Sequence, residues 1–224
     1  MQFFKHKPIR VYELLVGLFV MTLIVSNISS VKMVQVGPLV FDAGTLLFPL
    51  AYIIGDIVTE VYGYRRMRTL LYVGVGMLLL TSITFWVVGI LPAQANWTEQ
   101  GAYDTILGVV WRIAVASIAA IFVGELLNSY ILAALKIKTK GKKLWHRLVG
   151  SSAVGSFVDT TVFSLLAFAG SMRGSAMMQL IATVFLIKIS TEIIVSPLTM
   201  RIIHHIKCHE KLDAYEVPAS RLLN

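Results

Sequence analysis

The sequence predicts an all-α integral membrane protein: about six transmembrane helices around a central polar cavity, with the N- and C-termini cytoplasmic. Three observations carry this reading. The 224 residues are 57% hydrophobic and 14% charged, with a mean hydropathy of +0.77, whereas soluble domains run near ~25% charged. Six apolar segments, at about 11–31, 40–63, 69–91, 106–135, 147–170 and 176–206, each approach or exceed the ~20 residues that a helix needs to cross a bilayer. The basic residues also sort to alternate connections. All of the 20 Lys and Arg except Lys32, Arg112, Arg173 and Lys188 fall on one side of this arrangement, which the positive-inside rule makes the cytoplasmic one.

The same sorting accounts for the net charge of +8. Basic residues confined to short loops between apolar runs argue against nucleic-acid binding. The single cysteine, Cys208, excludes an intramolecular disulfide. No metal or cofactor is called for. His204, His205 and His209 include an i, i+4 pair, but beside Lys207 at a membrane exit they read as a solvated face.

Taken in order, Lys5, Lys7 and Arg10 precede the first apolar run. That run is longer than a signal-peptide core and lacks a small-residue cleavage site, so it reads as an uncleaved first span. It ends in a polar stretch in which Asn27 is placed to hydrogen-bond a neighbouring helix or a ligand. Val36-Gly37-Pro38 makes the external turn. The second span carries Asp56 and Glu60, four apart and so one above the other on one helix face, together with Tyr52 and with Phe48 near its start. A charge at the bilayer centre costs ~2.5–3.5 kcal/mol, so such residues are rare and usually functional.

Gly74 and Gly76 of the third span offer an interface for a homodimer. The connection 92–105 has no Lys or Arg and reads as an external loop, with Trp97 and Tyr103 at the interface. In the fourth span Ser117, Glu125 and Asn128 form one stripe. The fifth, rich in small residues, places Ser152, Ser156, Asp159 and Phe163 on one face. The sixth carries Lys188 and Glu192, then Pro197, which frees the carbonyl of Ile193. Residues 207–224 read as a cytoplasmic tail containing Pro218, a short helix fading into disorder.

At ~1.5 Å per residue, Asp159 and Lys188 fall near the midplane. Asp56 and Glu125 fall close by, and Glu60 and Glu192 lie nearer the cytoplasmic face. Five carboxylates therefore face one cation, Lys188, whose partner is Glu192 or Asp159. At least one acid is left for a ligand, a proton or a cation. Glu60 either joins this group or pairs with Arg65 or Arg66 at the inner interface. Phe48, Tyr52 and Phe163 line the same faces. Together these residues imply a small-molecule substrate rich in hydrogen-bond donors, or a cationic one.

Several stretches then resemble a known family. Phe48-Pro49, followed by Asp56-Ile57-Val58-Thr59-Glu60-Val61-Tyr62-Gly63 and the basic Arg65-Arg66, resembles the queuosine precursor transporters, or vitamin-uptake-like transporters. Arg112-Ile113-Ala114-Val115-Ala116-Ser117, Gly124-Glu125-Leu126-Leu127-Asn128, Gly155-Ser156-Phe157-Val158-Asp159-Thr160 with Phe163, and Lys188 through Pro197 resemble the motifs of the later spans. The chain departs from some members at Glu60 and Asn128.

The resemblance implies six membrane helices in a bacterial inner membrane and import of 7-cyano-7-deazaguanine or 7-aminomethyl-7-deazaguanine, with no enzymatic step. Asp56 and Asp159 would hold the guanine-like edge of the base. Glu125, Asn128, Asn27 and Lys188 would complete the network. Two other classes stand beside it. An energy-coupling-factor substrate-binding subunit would dock through an alanine-spaced first helix, and Val16–Leu23 holds no alanine. An intramembrane protease needs a second catalytic Asp in motif context or a paired His, and no His lies at membrane depth. A transporter for another small heterocycle or vitamin is the nearest alternative.

Overall fold

The computed structural model describes residues 11–168, 170 and 174–216. Lys5, Lys7, Arg10, Arg173, Pro218 and Arg221, which enter the charge and tail readings above, lie outside the described residues. The described residues form seven helices and one small hairpin: α1 (Val11–Ser29), β1 (Met33–Val36), β2 (Leu39–Asp42), a 3-10 turn (Ala43–Leu46), α2 (Phe48–Tyr62), α3 (Tyr64–Ile90), α4 (Gln100–Ile106), α5 (Val110–Lys138), α6 (Leu144–Phe168) and α7 (Gly174–Glu210). Among the described residues, five helical stretches are long and apolar enough to cross a membrane: α1, α3, α4 with α5, α6 and α7. The protein is an all-α membrane protein.

The expected second span over 40–63 is helical only from Phe48. Its 15 residues reach about 22 Å at 1.5 Å per residue, short of a bilayer core. The chain before it forms the antiparallel pair β1–β2, with Val34 opposite Phe41 and Val36 opposite Leu39 across a turn at Gly37, where φ is +59°. β-Branched residues alternating around Gly-Pro favour this hairpin over a helix.

Asp42 then fixes the descent into α2. Its Oδ1 accepts from the Thr45 amide (3.2 Å) and the Ser30 hydroxyl (2.6 Å), and its Oδ2 accepts from the Thr45 hydroxyl (2.7 Å). Non-helical backbone at this depth is tolerated where protein covers it. Here Ser26 donates to the Gly44 carbonyl (3.1 Å), and a Cβ on Gly44 would collide with the Ser30 hydroxyl.

Residue contacts fix how the ends of the helices are arranged. The amide of Val11 donates to Glu210 (3.1 Å), and the hydroxyl of Tyr12 donates to the carbonyl of Arg66 (3.1 Å). Arg147 at the start of α6 reaches Glu60 near the end of α2. The start of α1, the α2–α3 junction, the α5–α6 turn and the end of α7 therefore share one face of the bundle, called the terminal face below. The connection 92–105, expected as a loop, contains α4, whose Tyr103 donates to the carbonyl of Phe85 (3.0 Å).

α5 and α6 pack against each other with little between their backbones. A Cβ on Gly124 would collide with the Cβ of Asp159, and one on Gly155 would stand 2.6 Å from the Cβ of Asn128 and 2.8 Å from the Gly124 carbonyl. Small residues allow this approach. Gly155→Ala is expected to overpack the seam and cost about 1–3 kcal/mol of stability, read as a lowered unfolding temperature in detergent. Gly150→Ala, which meets nothing within 4 Å, is the control.

Gly74, assigned from sequence to a dimer interface, instead packs inside the bundle. A Cβ there would stand 2.8 Å from side-chain carbons of Phe19 and Leu23 on α1. Along α7, Pro197 leaves the carbonyl of Ile193 without its helical donor, and the hydroxyl of Ser196 donates to it instead (3.1 Å).

Candidate transport site

α2 is buried on nearly every face, so its polar residues must find partners inside the bundle. Asp56 is completely buried. Its Oδ1 accepts from the Asn128 amide on α5 (2.9 Å), and its Oδ2 accepts from the Ser152 hydroxyl on α6 (3.4 Å). Glu125 lies on α5 and accepts from the Ser129 hydroxyl (3.3 Å). Gly55 makes room for it: a Cβ there would collide with the Glu125 carboxylate.

Asp159 on α6 pairs with Lys188 on α7. Of the two partners open to Lys188 from sequence, the structure uses this one, and Glu192, one turn along α7, is left without it. The Lys188 ammonium sits 4.9 Å from the Phe48 ring centre and 5.7 Å from that of Tyr52, within range of a cation–π interaction. Phe163 stands 6.1 Å from Phe48. Glu192 lies within electrostatic range of Asp56, and Asp56 and Asp159 lie within that range of Glu125. The structure thus gathers Asp56, Glu125, Asp159, Lys188, Glu192, Asn128, Phe48, Tyr52 and Phe163 into one region. All are buried.

This region is short of internal hydrogen bonds. Among the described residues, eight buried side-chain polar atoms lack a partner in the protein, and four belong to Tyr52, Asn128, Asp159 and Glu192. Native proteins leave few such atoms, and each one calls for an explanation. Asn27 Oδ1 is another; its amide donates to the Leu23 carbonyl of its own helix (2.8 Å), and no hydrogen bond joins it to the cluster.

Glu60 is separate. Arg147 grips its carboxylate with two bonds, at 2.7 and 3.2 Å. Lys207 donates to it at 2.7 Å, and Lys136 stands 3.4 Å away while donating to the Glu60 carbonyl at 2.7 Å. Its partners are therefore not Arg65 or Arg66. The carboxylate is saturated by three cations, which leaves it little capacity for a ligand. Lys136 and Arg147 belong to the basic connection between the fourth and fifth spans, yet both are 2% exposed.

Asp213, beyond the end of α7, completes this second cluster with bonds to Lys136 (2.6 Å) and Lys207 (2.8 Å). Burial pushes its carboxyl up, but the two ammonium groups outweigh that and hold it below the ordinary aspartate value.

A membrane bundle that buries uncompensated acids and unpaired polar groups at the meeting of four helices has the arrangement expected of a transporter of polar solutes. Comparison with known proteins agrees. Residues 42–202 match the family described as "Putative vitamin uptake transporter", and the chain belongs to that family. It is 29% identical over 188 residues to a "Probable queuosine precursor transporter" of Bacillus subtilis, a match covering 81% of each chain. It is 30% identical over 125 residues to a protein of the same description from Haemophilus influenzae, covering 56% of this chain and 51% of that one. It is 26% identical over 125 residues to the "Queuosine precursor transporter" of Escherichia coli, covering 56% and 54%. No solved structure matches. The chain is a multi-pass inner-membrane transporter.

Proposed function

We propose that this transporter imports queuosine precursors, 7-cyano-7-deazaguanine or 7-aminomethyl-7-deazaguanine, through the buried carboxylate site, with both termini in the cytoplasm. One observation carries the reading. Among the described residues, Asp56 and Glu125 are buried acids that pair with no cation, beside unpaired polar atoms of Tyr52, Asn128 and Asp159. A 7-deazaguanine presents adjacent N–H donors on its guanine edge, which a carboxylate accepts bidentately.

Asp56 is the acceptor for that edge, and Glu125 and Asn128 flank it. Phe48, Tyr52 and Phe163 supply the aromatic walls, worth ~1–3 kcal/mol per stacked base. Asp159, held by Lys188, takes the remaining donors. The aminomethyl form adds a cation that an acid-rich site favours. The names of the relatives and the basic residues on the terminal face support the substrate and the orientation respectively.

Thermal unfolding of the purified protein tests this. At a hundredfold excess over its dissociation constant a ligand adds about 2.7 kcal/mol. The two deazaguanines are therefore expected to raise the unfolding temperature by about 5 °C or more, and unrelated vitamins by nothing. Stabilisation by a vitamin and not by a deazaguanine would overturn the assignment.

A further inference from the structure

The segment that follows α7 is not a loose tail. Lys211 takes a left-handed backbone (φ +54°), which ends the helix and turns the chain back over the terminal face. There the amide of Ala214 donates to the Val61 carbonyl (3.2 Å), and its carbonyl accepts from Lys136 (2.8 Å). Tyr215 lies under the Lys136 ammonium, 4.5 Å from ring centre to nitrogen. Glu216 accepts from the amide of Arg65 (2.8 Å), at the α2–α3 junction.

The seat is shaped for this segment. Gly63 and Gly141 both have positive φ (+92° and +75°). A Cβ on Gly63 would stand 2.8 Å from the Glu216 carboxylate carbon, and one on Gly141 would collide with the Tyr215 hydroxyl. The short run 213–216 thus touches α2, α3, α5, the α5–α6 turn and α7 at once.

We propose that residues 211–216 form a strap that is the inner gate of the transport path, latched on the Glu60 cluster and lifting to release substrate toward the terminal face. The inference rests on the transport reading above. Its logic is one of strengths and connections. Glu60–Arg147 is buried and bidentate, so it holds α2 to α6 firmly. The strap's own ion pairs end on Asp213, whose side chain is 44% exposed, and exposed pairs are individually weak. The strap is therefore the part of the closure that opens first.

Lys136 and Lys207 are shared between Asp213 and Glu60, so lifting the strap also loosens the hold on Glu60. Glu60 stands one helical turn from Asp56 on α2. A single rigid helix thus connects the latch to the acid proposed to bind the base.

Thiol labelling tests the gate without reference to any substrate. With the exposed Cys208 replaced by serine, Thr59→Cys places a reporter between Asp56 and Glu60; Thr59 is 2% exposed. A membrane-impermeant maleimide is applied to inverted and to right-side-out vesicles. The reporter is expected to be protected from both sides when the strap is intact. Asp213→Asn, or deletion of residues 211–224, is expected to speed labelling from the terminal face alone by about tenfold, the scale for a local opening that loses two partly exposed ion pairs. An unchanged rate in the Asp213→Asn protein, or equal acceleration from both faces, overturns the proposal.

A disulfide between Val61→Cys and Ala214→Cys gives the converse experiment. It is expected to stop uptake and to release it on reduction, and undiminished uptake by the locked protein overturns the gate. If no deazaguanine is transported even by the unaltered protein, the substrate assignment fails while the labelling contrast still reports on the strap.

Discussion

Replacing Asp56 by asparagine is expected to lower deazaguanine uptake about 10- to 100-fold, the scale of losing hydrogen bonds to a charged group, while leaving the fold intact. The fold survives because Asp56 has no cationic partner to strand: its neighbours are the Asn128 amide and the Ser152 hydroxyl. Asp159 behaves differently. Asp159→Asn leaves Lys188 as an uncompensated buried charge, so it is expected to lose both uptake and about 3–5 kcal/mol of stability. The double change Asp159→Asn with Lys188→Met is expected to recover the stability and not the uptake, which separates the two roles. Uptake in cells lacking their own transporter, measured beside thermal unfolding, decides it. Full transport by both single variants would remove these acids from the site.

Arg147→Ala is expected to destabilise the protein by about 1.5–3 kcal/mol, the scale of losing hydrogen bonds to a charged group, because it removes the two-point grip on the buried Glu60 carboxylate. Lys207 and Lys136 remain near Glu60, but they are single-point donors with other obligations to Asp213. The bidentate grip is what Arg147 alone supplies, so Arg147→Lys is expected to fall between wild type and alanine. Combining Arg147→Ala with Glu60→Gln is expected to cost much less than the sum of the two, as for any pair in direct contact. Additive costs in thermal unfolding would show that the pair does not act as a unit.

Much of the arrangement is legible in the sequence because it follows from periodicity and solvent. Apolar runs of spanning length mark α1, α3, α5, α6 and α7. The 3.6-residue period puts Glu125 with Asn128, and Ser152 with Asp159, on shared faces. The run 40–63 misleads for a physical reason. Residues 40–47 are as apolar as a helix, and hydropathy does not distinguish them from a β-strand followed by a 3-10 turn. Only the Asp42 cap and the close approach of Gly44 to α1 make that choice.

The partners of Glu60 were hidden by a different effect. Lys136 and Arg147 belong to a basic connection, and membrane topology alone is reason enough for basic residues there. That two of them fold inward depends on how the ends of α5 and α6 meet α2, which no local pattern encodes. The Lys188–Asp159 choice is likewise tertiary, since spacing along α7 favours Glu192 equally well.

The shortness of α2 bears on how the protein is made. A segment of 15 residues carrying two carboxylates is a poor candidate for independent release into lipid during synthesis. The adjoining α3, 27 residues long and apolar enough to cross a membrane, is a good one. α2 and α3 meet at Gly63 beside three arginines that stay on the terminal face. Biogenesis therefore favours their insertion as one hairpin, with α3 supplying the lipid affinity and α2 carried beside it. The acids of α2 then wait for α5, α6 and α7, which are translated after them, before they gain their neighbours. Assembly of the candidate solute site is in this sense a late event, completed only when α7 and the segment 211–216 beyond it have left the ribosome.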